Sequence, residues 1–246
     1  EGVPIGWQDE DEDVTSDDTR FIEGAIDIVC NSGGADQVIP LNLDNSYWQP
    51  SGNQHVPATG GFDAVGPAIV LTPSGRGFPT SSDCRFDFDS SVVDKEHRTV
   101  CAPPDDGDYD VYRFEECSDG LSEISFGTEP LRVAGSYPAD GDTLVPLTSS
   151  GSNFVMLVNF NVVVQRGADN AVDTPAFFTL LEDGVERTDI TAAASAATPS
   201  NVNITVPGGF LADTEYTLTV ETGATDDWGV GLPESEVRTI TFTTGS

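Results

Sequence analysis

Lysine is nearly missing from this chain: Lys95 is the single one among 10 basic residues, against 42 acidic residues, for a net charge of −32. A field of that sign repels phosphate backbones and anionic headgroups, which argues against nucleic acid and membrane surfaces as partners. Histidine is scarce, with only His55 and His97, and neither falls in a metal-spaced pair. No Cys-x-x-Cys pair, Gly-x-Ser-x-Gly elbow, phosphate loop or dinucleotide fingerprint occurs. Carboxylates abound, but in so acidic a chain two of them in proximity are expected by chance, so the chain is not expected to be an enzyme. No apolar run approaches the roughly 18 residues of a membrane span, so no membrane insertion is expected. Helix signals are rare; residues 189–198 have a helical composition without an amphipathic period.

What the chain does have is turn chemistry and alternation. Gly and Pro total 41 of 246 residues, with 37 % hydrophobic residues, a balance that suits β-sheets wet on one face. "RFDFD" (85–89) and "YTLTVE" (216–221) alternate apolar and polar with period two, as half-buried strands do. "FVMLVNFNVVV" (154–164) reads as a longer strand, and Asp183-Gly184 as the turn of a hairpin. The fold class is all-β.

Self-similarity organises these strands. Residues 77–94 run parallel to 209–226 at an offset of 132, placing Phe78 opposite Phe210, Phe86 opposite Leu218 and Phe88 opposite Val220. "ISFGT" (124–128) matches "ITFTT" (240–244) at an offset of 116. "GGADQVIPLN" (33–42) also resembles "ADGDTLVPLT" (139–148), with Pro40 opposite Pro146 and Leu41 opposite Leu147. The fall in offset gives the first copy 16 extra residues, the acidic segment between Cys101 and Cys117. A disulfide across the base of such a loop offsets about 3 kcal/mol of ordering entropy. Four cysteines allow three connectivities; the repeat favours Cys101 with Cys117 and Cys30 with Cys84, and an even count fits an oxidising compartment.

The second copy resembles a known family. Pro138-Ala139-Asp140-Gly141, the strand ending Tyr216-Thr217-Leu218, the loop Asp226-Asp227-Trp228-Gly229 and the closing Thr241-Phe242-Thr243-Thr244-Gly245 look like the bacterial Ig-like domain of S-layer and other surface proteins. The resemblance covers residues 131–246 and is divergent over 20–130, where Cys84 stands for Tyr216 and His97 for Gly229. It implies two tandem Ig-like antiparallel β-sandwiches behind an acidic extension, residues 1–19.

Only 25 residues lie between Asn42 and Ala68, whereas 53 lie between Thr148 and Val202, so the first sandwich is expected to lack two strands. Val3, Ile5 and Trp7 alternate in the N-terminal stretch and form the candidate donor strand to fill an open edge. The alternative is a smaller closed topology with the tail as a linker. Asp105, Asp106, Asp108 and Asp110 around Gly107 could ligate calcium, or else form a solvated, tethered loop. Asp226 and Asp227 read as turn residues. Glu1 is not preceded by a charged-then-apolar leader, so a mature exported chain at a bacterial cell surface is expected. The expected function is a structural subunit of a fibre or surface layer, whose partners are copies of itself. The alternative is an adhesin or glycan-binding module using Trp7, Trp48 or Trp228.

Overall fold

The computed structural model describes residues 24–49, 68–89 and 124–246. The chain divides into two compact units: Pro79–Ser81 with Thr128–Ser246 form the second, and the rest of the chain up to Gly127 belongs to the first. Alternation of side chains and the scarcity of helix formers give an all-β structure, with one short α-helix among the described residues, α1 (Thr174–Phe177).

The first unit contains β1 (Ile26–Asn31), β2 (Asp36–Ile39), β3 (Tyr47–Gln49), β4 (Ala68–Val70), β5 (Asp83–Phe88) and β6 (Ile124–Gly127). Four of these form an antiparallel sheet in the order β2-β1-β5-β6, and β3 pairs with β4 in a separate ribbon. Period-two alternation sends Ile26, Ile28, Cys30, Ile39, Cys84, Phe86 and Phe88 to one face of that sheet. Ile26 packs there with Leu41, Leu43, Leu71, Phe86 and Phe88.

The second unit contains β7 (Val133–Tyr137), β8 (Phe154–Phe160), β9 (Phe178–Glu182), β10 (Val185–Glu186), β11 (Thr191–Ala194), β12 (Asn201–Val206), β13 (Glu215–Val220) and β14 (Arg238–Thr243). Its two sheets, β11-β12-β8-β7 and β10-β9-β13-β14, bury their inner faces in a single cluster. This is the strand order of an immunoglobulin-type sandwich with one added edge strand. In β8, Phe154, Met156, Val158 and Phe160 are buried, and the residues between them are half-buried. Each such side chain contributes about 1.5–3 kcal/mol by leaving water, so this strand anchors the core. Phe210 sits at its aromatic centre, 4.4 Å from Phe154, 4.3 Å from Tyr216 and 5.3 Å from Phe242 between ring centroids. The hairpin at Asp183-Gly184 forms as its sequence indicates, with both residues at positive φ.

The sheet of the first unit repeats β10-β9-β13-β14 in register. Cys84 faces Phe126 across β5 and β6 as Tyr216 faces Phe242, the 132 and 116 offsets read from the sequence. Cys30, Ile28 and Ile26 face Cys84, Phe86 and Phe88 as Glu182, Leu180 and Phe178 face Tyr216, Leu218 and Val220. Phe78 stacks edge-on to Phe126 at 5.4 Å, matching the contact between Phe210 and Phe242.

This register corrects one sequence alignment. Residues 36–39 form β2, the hairpin partner of β1, and so correspond to β10; they do not correspond to 139–148, which run beside β14. Strands β1 to β6 then follow β9 to β14 one for one, with β3 and β4 in the places of β11 and β12. The short interval between Asn42 and Ala68 therefore does not mean that two strands are lost there, because both are present as three-residue strands. The strands without a counterpart among the described residues of the first unit are β7 and β8, which precede β9 in chain order.

Candidate functional site

One inward-facing position is built differently in the two units. In the first, Cys30 and Cys84 lie directly opposite each other, their Cα atoms 4.0 Å apart, and are joined by a disulfide. Such close approach is the mark of a non-hydrogen-bonded antiparallel pair, whose side chains lie nearest each other. In the second unit the same pair is Glu182 and Tyr216. The Tyr216 hydroxyl donates to Glu182 Oε2 at 2.7 Å and accepts the Leu211 N–H at 2.9 Å. A tyrosine at the start of this strand, bonded to backbone a few residues upstream, is the corner that closes immunoglobulin-type sandwiches.

The network continues outward. Arg187 donates from Nη1 to Glu182 Oε2 at 2.8 Å and binds both oxygens of Asp189 at 2.8 Å, a bidentate pair. Burial pushes the Tyr216 hydroxyl up to about 12, and its bond to Glu182 acts in the same direction. The Glu182 carboxyl is held below its usual range first by the Tyr216 hydroxyl and then by Arg187, against the effect of burial. Arg187 likewise holds Asp189 low. Each group is fixed in its ordinary charge state at neutral pH, which suits a structural clasp.

Asp226 organises a second knot. It is buried, and its Oδ1 accepts the N–H groups of Trp228 and Val230 while Oδ2 accepts the N–H and hydroxyl of Thr80. Four donors occupy both oxygens, so Asp226 acts as the turn residue its sequence suggests. Among the described residues no cluster of three or more His, Cys, Asp or Glu side chains could hold a metal.

The sheet edges differ more consequentially. In the second unit residues 140–145 run beside β14. Gly141 N–H donates to Thr241 C=O, Thr243 N–H to Asp142 C=O, Val145 N–H to Thr243 C=O and Gly245 N–H to Val145 C=O. Asp140 Oδ1 accepts the Thr241 N–H at 2.9 Å, and Val145 pairs in parallel with Thr244. In the first unit Phe126 and Ile124 face Cys84 and Phe86 as Phe242 and Ile240 face Tyr216 and Leu218. Ser125 and Gly127 must therefore turn their N–H and C=O groups outward, as Thr241 and Thr243 do. Among the described residues nothing accepts or donates there. Ile124 is 39 % exposed where Ile240 is 5 % exposed. An open cleft of about 480 Å³ crosses the face of this sheet away from Cys84 and Phe86, from Asp36 on β2 through Asn31, Asp83 and Arg85 to Ser125 and Gly127 on β6.

The sequence-derived site residues divide accordingly. The Cys30–Cys84 disulfide is present. Cys101, Cys117, Asp105, Asp106, Asp108, Asp110, Val3, Ile5 and Trp7 lie outside the described residues, as do His55 and His97. Asn203, which with Ile204 and Thr205 spells a glycosylation sequon, is exposed on β12, and Trp228 is half-buried. Sequence reasoning did not single out Glu182, although it carries a signal: a charged residue in the inward phase of Phe178, Leu180 and Glu182.

Residues 127–244 match the family model of the bacterial Ig-like domain. Among solved structures, the crystal structure of CopC from Methylosinus trichosporium OB3b is similar at 15 % identity, covering 47 % of this chain and 93 % of that chain, with a TM-score of 0.32. No curated protein matches the chain.

Proposed function

We propose, from the premise that the second unit of this chain is a bacterial Ig-like domain, that the chain is a structural subunit of a bacterial extracellular fibre or surface layer, assembled by β-strand addition. The first unit, in this reading, is a second sandwich of the same type left open. The observation that carries it is the contrast between equivalent inward residues: Ile124 against Ile240, and half-buried Phe126 against Phe242 at 1 % exposure. An added segment would bury that apolar surface and pair the exposed main chain, the standard chemistry of strand addition. The disulfide supports the same role, since a covalent cross-strand link hardens a sheet that bears load.

Electron microscopy and sedimentation of the purified chain test this. Elongated or layered material, or association that strengthens with protein concentration, is expected. A monodisperse monomer at all concentrations, in low and molar salt, refutes it; glycan binding by that monomer would favour the adhesin reading instead.

A further inference from the structure

We propose that the loop Leu211-Ala212-Asp213 of the second unit is a docking surface for another bacterial Ig-like unit, one whose Asp226-type turn has its second carboxylate oxygen unfilled. Docking of this kind rests on the family of the second unit and is independent of strand addition.

The loop repeats one that is already held. Pro79–Ser81 belong with the second unit, although Phe78 and Ser82 on either side belong to the first. At the offset of 132 they correspond to Leu211, Ala212 and Asp213, and at the offset of 116 Thr128 and Glu129 correspond to Thr244 and Gly245. The two loops are built alike. Ser81 and Asp213 both take positive φ, 49° and 50°. The Ser81 N–H donates to Glu129 C=O and the Asp213 N–H to Gly245 C=O, each at 3.1 Å. Thr128 Oγ1 donates to Pro79 C=O at 2.7 Å, and Thr244 Oγ1 to Leu211 C=O at 2.6 Å.

What differs is what meets them. Pro79 and Thr80 are buried, and Thr80 gives both its N–H and its hydroxyl to Asp226 Oδ2. Ala212 is exposed, and among the described residues its N–H has no acceptor. Leu211 is 59 % exposed, and Leu144, 78 % exposed, lies beside Gly245. Two bare leucines thus flank an unmet main-chain donor, in the place where the first loop is covered.

The partner follows from Asp226. Its Oδ1 shapes its own turn by accepting the Trp228 and Val230 N–H groups, which leaves Oδ2 to receive a donor from elsewhere in the chain. An Ig-like unit with the same turn and nothing at Oδ2 would bury an unpaired carboxylate oxygen, which the Ala212 N–H would satisfy. A second copy is not that partner, because its own Thr80 already fills the position. Asp213 brings a charge where Ser81 has none, so docking should strengthen with salt.

Two experiments on the full chain test this. In the first, Pro79→Leu, Thr80→Ala and Ser81→Asp together place the 211–213 sequence on Asp226. The second unit's melting midpoint should fall by about 4–8 °C for the lost hydroxyl bond, and Asp226→Ala should lower it about twice as far or more. In the second, the chain is continued after Gly245 with a repeat of residues 130–246, and hydrogen exchange of the 211–213 peptide is followed. The Ala212 amide should gain about tenfold protection, which Asp226→Ala in the added copy removes and Ala212→Thr increases. A transplant as damaging as Asp226→Ala overturns the proposal, as does an unchanged Ala212 amide beside a folded added copy. An added copy that stays unfolded behind Gly245, although the same residues fold behind Glu129, overturns it too. None of these results bears on strand addition, which sedimentation of the unaltered chain decides.

Discussion

Removing the Cys30–Cys84 bond would separate the energetics of the two units. The link closes a loop with a sequence separation of 54. A chain-entropy estimate for that length is about 4 kcal/mol at 25 °C. Truncating two buried sulfur side chains adds on the order of 1 kcal/mol for lost packing. In a unit of ordinary size each kcal/mol moves the melting midpoint by about 4–8 °C, so the first unit should melt about 20–40 °C lower. The double variant Cys30→Ala with Cys84→Ala is the right perturbation, because it acts on this bond alone. Differential scanning calorimetry of the wild type should resolve two transitions, of which one moves in the cysteine variant and the other moves in Tyr216→Phe. A change below about 1 kcal/mol would refute the loop-closure reasoning. Equal movement of both transitions in both variants would refute the separation into two cooperative units.

Four further outcomes are expected in the second unit. Tyr216→Phe leaves the Leu211 N–H without its acceptor and Glu182 without its donor, so the urea midpoint should fall by the equivalent of about 1–3 kcal/mol, and an unchanged midpoint contradicts the clasp. In alkali, Tyr216 has a folded pKa raised to about 12 from 10.0. Its stabilisation is complete below pH 10.0 and lost as pH rises through about 12. That loss, about 2–3 kcal/mol, should be missing from Tyr216→Phe when midpoints are measured from pH 9 to 12. In acid the signs reverse: Glu182 and Asp189 have folded values below 4.5 and 3.8, so their contribution holds above those values and fades as pH falls beneath them. Asp226→Ala strands the donors of Thr80, Trp228 and Val230 that it now satisfies. It should cost about 3 kcal/mol or more by thermal melting, with Asp226→Asn recovering part.

The register between the two units was legible because inward residues of a strand recur every second position, and a sandwich keeps that phase wherever it is repeated. Phe86 and Leu218, or Phe126 and Phe242, can be matched without a structure, and the disulfide partners follow from the same offsets. The failure at residues 33–42 has an equally physical cause. Both that segment and 139–148 end a turn, run briefly beside a sheet and stop at a proline, because any edge strand tolerates proline where it needs no donor. Pro40-Leu41 and Pro146-Leu147 therefore look alike although the residues before them lie beside different strands, Asp36–Ile39 beside β1 and Val145 beside β14. Glu182 escaped notice because its partner Tyr216 is 34 residues away. Only cross-strand register joins them.

In the proposed assembly charge and main-chain recognition would oppose one another, since the outer edge of β6 is unpaired among the described residues. An unpaired strand such as β6 would invite uncontrolled pairing in a neutral protein. Here every copy carries a net charge of −32, and the acidic run at residues 9–13 follows closely on Val3-Pro4-Ile5. At low ionic strength the repulsion between copies reaches across tens of ångströms; near 1 M salt it is confined to roughly 3 Å, shorter than the spacing between paired strands. Main-chain hydrogen bonds and the burial of Ile124 then act almost unopposed. In the proposed assembly the same acidic residues would set the salt at which copies join. A surface made less acidic should assemble at lower salt but with poorer discrimination against stray edges.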